Sequence, residues 1–312
     1  TTEIYTLSLH DALPISAGIL FGCWFAAFSA VSASEFDGSA AYDFAVQQLA
    51  LGPRTPGSEA HAAFLTLAEG AFSRAGWTVQ RLSGVKNGET AINLIIERPD
   101  GAVGDRPWIV LGAHYDSRLN ANEDPVAANR TEPVPGGNDG ASGVALLYGL
   151  AKSLDRSVGV RVTLVLFDLE DQGGIAPYDE WCIGSKMVAS YYKNQARQTG
   201  IQPDAVVILD MIGDPELGIY RENFSDPELS DEIWAVAAES GYDKQFVNRA
   251  RFSVYDDHIP FIEAGMRAVD LIDFDDPEWH TVRDDLTNVS QASLQVVGEV
   301  VLTWIERYSE KE

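Results

Sequence analysis

The chain has 312 residues, 46% of them hydrophobic, and a formal net charge of −25 from 47 acidic and 22 basic side chains. That length suits one large α/β domain or two small ones, and the apolar content is ample for a real core. The acidity argues against nucleic acid or an anionic membrane as a partner and leaves many carboxylates available for metal.

Residues 1–16, with no initiating Met and no kinship to the rest of the chain, read as extraneous. Ala17 to Ala33 is an apolar run of signal-peptide length ending in Val31-Ser32-Ala33, a small-residue cleavage site. The basic region expected before such a run is missing, since no Lys or Arg precedes Arg54. The expectation is export, periplasmic or secreted, without stable membrane insertion after cleavage; a retained anchor is the alternative. Cysteine is confined to Cys23 and Cys182. No intrachain disulfide framework is expected, and Cys182 reads as a packed small residue.

Residues 34–312 then read as one domain. Ser39 to Leu51 is predicted as an amphipathic helix capped by Ser39, with Tyr42, Ala45, Val46 and Leu49 on one face and Phe44 off it. Turn chemistry at Gly52–Ser58 precedes a second helix, Glu59 to Gly76, with Phe64, Leu65, Leu67, Ala68 and Phe72 inward. Strands at Thr78–Leu82 and Ala91–Glu97 flank Lys86-Asn87-Gly88, a hairpin signal. A buried strand, Trp108–Ala113, ends in His114-Tyr115-Asp116-Ser117. The polar loop Arg118–Pro135 is too long for a simple connector and is expected to wall a site.

Gly136–Gly143 opens a helix through Leu154, but it lacks the endings and spacings of phosphate loops. Val162–Phe167 is a strand apolar enough to be buried on both faces, and it ends in Asp168, Glu170 and Asp171. Three acids crowded there repel one another unless a cation or a shared proton offsets the charge. A loop at Pro177–Trp181 leads to a helix at Ile183–Gln195, then a buried strand, Ala205–Leu209, ending in Asp210. A short strand at Gly218–Arg221, a helix at Pro227–Ser240 and a short helix starting at Asp256–Pro260 come next. The last strand is Arg267–Ile272, and the C-terminal helix runs from Ser290 to Tyr308 with Leu294, Val297, Val300, Val301 and Trp304 on its apolar face. This alternation predicts an α/β fold with a central mixed, mostly parallel, twisted sheet and helices on both faces.

Open α/β sheets bind ligands just beyond the carboxyl ends of their strands. Collected there are His114 and Asp116, Asp139, Glu170 and Asp171, Asp210, and His280. Imidazoles and carboxylates from separate segments suit a borderline divalent metal, zinc first. A lone His at a strand end is more often a structural hydrogen bonder; the joint pattern is what points to a site.

From Ala41 to Tyr308 the chain resembles the zinc aminopeptidase/glutaminyl cyclase superfamily. The matching pieces are GPRTPGS (52–58), HYDS (114–117), GGNDGASG (136–143), FDLEDQG (167–173), WCIGS (181–185), LDMIGD (209–214), DDHIPF (256–261) and WHT (279–281). Within it the chain is most similar to bacterial glutaminyl-peptide cyclotransferases, by Glu-Asp at 170–171, Trp before His280, and DDHIPF. The resemblance implies a catalytic domain over residues 34–312 with one zinc held by Asp139, Asp171 and His280. Two-metal peptidases add residues matching His114 and Asp210, with Asp139 bridging. It further implies Glu170 as general base and acid, Asp210 and Asp256 as its hydrogen-bond network, and Trp181 and Trp279 as pocket walls. For the two tryptophans, ordinary core filling is the competing reading. The implied substrate is a peptide or protein with N-terminal glutamine, converted to pyroglutamate with loss of ammonia by a monomeric enzyme. The alternatives are a zinc aminopeptidase, in which Glu170 activates water, and an inactive relative serving as a binding module.

Overall fold

The computed structural model describes residues 35–86, 88–99 and 106–310. The apolar run at 17–33, Cys23 and Asn87 lie outside the described residues. In chain order the elements are α1 (Gly38–Leu49), α2 (Glu59–Arg74), β1 (Thr78–Lys86), β2 (Glu89–Glu97), β3 (Trp108–His114), α3 (Gly143–Ser153), β4 (Arg161–Phe167) and α4 (Ile183–Thr199). They continue with β5 (Ala205–Asp210), β6 (Ile219–Glu222), α5 (Pro227–Glu239), β7 (Phe246–Phe252), α6 (His258–Ala264), β8 (Ala268–Ile272) and α7 (Gln291–Tyr308). No helix among the described residues is long and apolar enough to cross a membrane.

The main sheet has six strands in the order β1-β2-β4-β3-β5-β8. β1 and β2 form an antiparallel hairpin, β2 runs antiparallel to β4, and β4, β3, β5 and β8 are parallel. Alternation along the parallel strands feeds two cores. Ile109, Leu111, Ala113, Leu164, Leu166, Val207 and Leu209 face a large cluster shared with α1, α2, α3, α5 and α7. Their neighbours Val110, Val165, Phe167, Val206 and Ile208 face a smaller cluster that includes Val188 and Tyr192 of α4 and Phe261 of α6. Burial on both faces is why these strands carry continuous apolar runs.

Register decides where the strands stop. His114 pairs with Phe167, Gly112 with Ile208, and Asp210 with Ile272. His114 and Asp210 therefore come level at one edge, with the acids that follow β4 beside them. Gly143 sets the depth of α3 against that edge, since a Cβ there would lie 2.1 Å from the Leu209 carbonyl oxygen.

Several expectations need correction. The N-cap of α1 is Asp37, whose carboxylate accepts from the Ala40 amide, rather than Ser39. The buried face of α1 includes Phe44, which stacks on Tyr148 at 4.3 Å and meets Phe72 edge-on, while Val46 is 36% exposed. The helix is wedged between α3 and α7, so the arc it buries is rotated from the one its apolar periodicity marks. The turn Gly137–Ser142 is not regular helix: Asp139 and Gly140 depart from helical dihedrals, with Gly140 at φ 101°, and the regular helix begins at Gly143. Strand β7, which pairs with β6 in parallel, was not expected, because Asn248-Arg249-Ala250-Arg251 is exposed and shows no apolar alternation.

The two faces of α1 give a direct check. Phe44→Ala should lose about 3–5 kcal/mol of stability in chemical denaturation, whereas Val46→Ala should change it by less than about 1 kcal/mol.

Candidate active site

The turn after β4 separates the three acids that follow it. Leu169 adopts a positive φ of 55°. Asp168 turns back into the scaffold, 2.8 Å from His61 Nε2 and accepting from the Ile92 amide. Glu170 and Asp171 face the strand ends instead. The expected crowd of three is therefore a pair, and Asp168 is a brace. Asp116 holds this turn from beside β3, accepting from the amides of Glu170 and Asp171 and from the Gln172 side chain.

Asp139, on the irregular turn before α3, is the meeting point. Its Oδ1 lies 3.0 Å from His114 Nε2, and its Oδ2 lies 3.5 Å from His280 Nε2. His114 Nε2 is also 3.1 Å from Asp210 Oδ1, and His280 Nε2 is 2.9 Å from Asp171 Oδ1. Two donor sets result, Asp139–Asp171–His280 and His114–Asp139–Asp210, each with its atoms within 4.8 Å of one another and all residues buried. The Asp139 turn is itself pinned by Asp284, which accepts from the amides of Asn138 and Asp139.

The first set fits zinc on its own chemistry. Asp139 Oδ2 and Asp171 Oδ2 are buried without a hydrogen-bond partner, and His280 presents Nε2 to both residues. Burial pushes the Asp171 carboxyl up to about 8 and holds the His280 imidazole down to about 3, the neutral form that ligates metal. Two carboxylates and a neutral imidazole are donors that zinc accepts, and a divalent cation would offset charge that burial otherwise penalises.

Glu170 is 6% exposed beside this cluster. Its Oε1 accepts from the Cys182 thiol at 3.3 Å, and its carbonyl accepts from the Cys182 amide at 3.0 Å. Burial raises its carboxyl well above the usual range, and Asp256 and Asp257 add to the rise. Asp256, at the entry to α6, is pushed up to about 6 by burial and then by Asp210. Glu170, Asp256, Asp210, Trp181 and Trp279 all line one cavity of about 250 Å³, whose floor is the Asp139–Asp171–His280 cluster. The half-buried Trp279 ring stacks on His280 at 3.7 Å, and the Trp181 ring lies parallel to His280 at 6.1 Å. The tryptophans are walls, not core.

The structure thus brings His114, Asp139, Glu170, Asp171, Asp210, Asp256, His280, Trp181 and Trp279 to one edge of the sheet, with Asp116 bracing the turn beside them and Asp168 turned away. It also adds residues to which the sequence reading gave no role. Arg118 donates to the Asp171 carbonyl at 2.8 Å and lies 3.3 Å from its carboxylate, while its guanidinium backs the Trp181 ring at 4.8 Å. A lone cation directly after a strand-end acid motif was the available signal. The loop Arg118–Pro135, expected as a wall, contributes nothing to the cavity lining and instead braces from behind, the Glu123 amide donating to the His280 carbonyl.

The chain is 26% identical over 231 residues to the glutaminyl-peptide cyclotransferase of Boiga irregularis, a match covering 64% of this chain. That match spans 61% of the relative's length, so the chain spans about three-fifths of the curated relatives it first matches. The structure of Porphyromonas gingivalis glutaminyl cyclase superposes with a TM-score of 0.79 at 29% identity, covering 88% of this chain and 99% of that one. A leucine aminopeptidase precursor from Bacteroides thetaiotaomicron superposes with a TM-score of 0.80 at 27% identity, covering 88% and 98%. The sequence model of one family matches residues 93–305, more than half of the chain, and the chain accordingly belongs to peptidase family M28.

Proposed function

We propose that the chain is a zinc-dependent glutaminyl-peptide cyclotransferase that converts N-terminal glutamine of peptides to pyroglutamate with release of ammonia. One observation carries the reading: a small cavity walled by Trp181 and Trp279 ends on the Asp139–Asp171–His280 cluster, with Glu170 and Asp256 on its sides. Likeness to the Porphyromonas gingivalis cyclase supports it, as does aspartate rather than glutamate at 171.

Asp139, Asp171 and His280 would hold the zinc, which when bound supplies a Lewis acid for the γ-amide carbonyl. In the proposed step the substrate's α-amine attacks its own γ-amide carbon, and the ring C–N bond forms. Glu170 takes the proton that this nitrogen sheds and returns it to the amide nitrogen as the old C–N bond breaks, so ammonia leaves. The raised affinity of the buried Glu170 carboxyl for a proton suits both halves of that transfer. Asp256 and Asp210 accept from the amine and orient it, and the indole rings confine the side chain. Because the nucleophile belongs to the substrate, orientation supplies much of the acceleration.

A second reading, zinc aminopeptidase, is favoured by the intact His114–Asp139–Asp210 set and by likeness to the leucine aminopeptidase precursor. There Glu170 would activate water rather than an amine.

On Gln-β-naphthylamide the purified protein should form pyroglutamyl-β-naphthylamide and ammonia, while Leu-p-nitroanilide stays intact; free amine from the leucine substrate would move the assignment to peptidase. Glu170→Gln should lower kcat by roughly 10²–10⁴-fold without changing the zinc bound per chain by elemental analysis, expected at one for a cyclase and two for a peptidase. Full turnover by that variant would remove Glu170 from the chemistry. Arg118→Ala should weaken zinc binding about 10–100-fold in competition with a chromogenic chelator, as loss of a group that orients a ligand does.

A further inference from the structure

Behind the cavity wall a buried acid–base chain runs up to Asp256, and the cyclisation chemistry gives its other members no task. Its members are Glu222 at the end of β6, His258 at the start of α6, Asp270 in the middle of β8, and Asp256, which opens onto the cavity. None is more than 4% exposed. Glu222 Oε2 accepts from the amides of Phe224 and Ser225 and from the Ser225 hydroxyl, and lies 3.1 Å from His258 Nε2. Its Oε1 accepts from the Val254 amide. Donors in that number fix Glu222 as an anion. His258 Nδ1 in turn lies 3.7 Å from Asp270 Oδ2.

Asp270 is the anomaly in this chain. It is fully buried, and neither of its oxygens meets an N–H or O–H donor. What it does face is a second acid: Asp256, His258 and Asp270 each bring an atom within 4.8 Å of the others. Asp256 Oδ2 also lacks any other partner. Two buried carboxyls that close together, each with an oxygen that meets no donor, bind one proton between them, because two adjacent anions away from water repel strongly. The proton belongs on Asp270. Asp256 Oδ1 already accepts the Asp257 amide, whereas Asp270 receives nothing. The directions agree, with burial and then Asp256 raising Asp270 well above the usual range, against about 6 for Asp256.

We propose that Asp270 is a positioning residue: as a carboxylic acid it donates to Asp256 from outside the cavity and keeps Asp256 an anion aimed at the substrate's amine. His258, anchored on Glu222, fixes the far side of Asp270. The consequence for turnover rests on the cyclotransferase reading; the hydrogen bond itself does not.

The test compares Asp270→Asn, which keeps an N–H donor toward Asp256 in the same shape, with Asp270→Ala, which removes it. Zinc content and Tm are measured on both holoproteins. On Gln-β-naphthylamide the Asn variant should stay within about threefold of wild type, and the Ala variant should lose about 10–100-fold in kcat/KM, chiefly through KM, as expected for loss of a hydrogen bond to a charged group. Independently of substrate, the infrared difference between wild type and Asp270→Asn at neutral pH should contain one protonated-carboxyl C=O stretch. Absence of that band overturns the proposal, as does an Asn variant as impaired as Ala at equal zinc content and Tm. If Asp270→Ala fails to fold, the band decides, since the Asn variant is isosteric. Wild type inert on glutamine substrates but showing the band would overturn the cyclotransferase reading and leave Asp270 as the donor to Asp256.

Discussion

Mutual repulsion among carboxyl groups withdrawn from water governs the design of the sheet's carboxyl edge. Asp139, Asp171, Asp210, Glu170, Asp256, Asp257 and Asp270 are all buried within a few side-chain lengths of one another. The protein answers that repulsion in four distinct ways. Asp139 and Asp171 are gathered with imidazoles in a donor set that a cation fits, Asp116 and Glu222 are saturated with backbone and side-chain donors, and Asp256 and Asp270 lie close enough for the shared proton proposed above. Arg118 is the fixed positive charge against Asp171. Each device leaves some carboxylates chemically available and silences others.

The scaffold that enforces this is rigid for reasons visible in its backbone. His280, Leu169, Cys182 and Met211 all carry positive φ although none is glycine. Such conformations cost of order 1–3 kcal/mol each and persist where surrounding packing over-determines them. They fall beside the ligand cluster, at the turn that splits Asp168 from Glu170, at the entry to α4, and directly after Asp210.

Much of this was legible in the sequence. Apolar runs ending in His or Asp marked the parallel strands and the edge where they stop, because a strand buried on both faces leaves its first polar residue at the sheet's rim. The collection of candidate residues at that edge followed from it, and the family resemblance singled out Asp139, Asp171, His280 and Glu170 among them. Phe44 was misplaced because apolar periodicity gives the width of a helix face but not how far neighbouring helices wrap around it. Strand β7 was invisible because its exposed polar residues carry no alternation. Asp270 and His258 were passed over for a different reason: a charged residue inside a core strand or after an acid pair has meaning only once its cross-sheet partner is known, and register supplies that.

Arg118 ties together two properties that would otherwise vary separately. One guanidinium grips the main chain and carboxylate at Asp171 and supports the indole of Trp181 from behind. A displacement of the indole must therefore also strain the grip on Asp171. The shape of the cavity wall and the placement of the Asp139–Asp171–His280 donors are thereby mechanically linked, and neither can be retuned without disturbing the other.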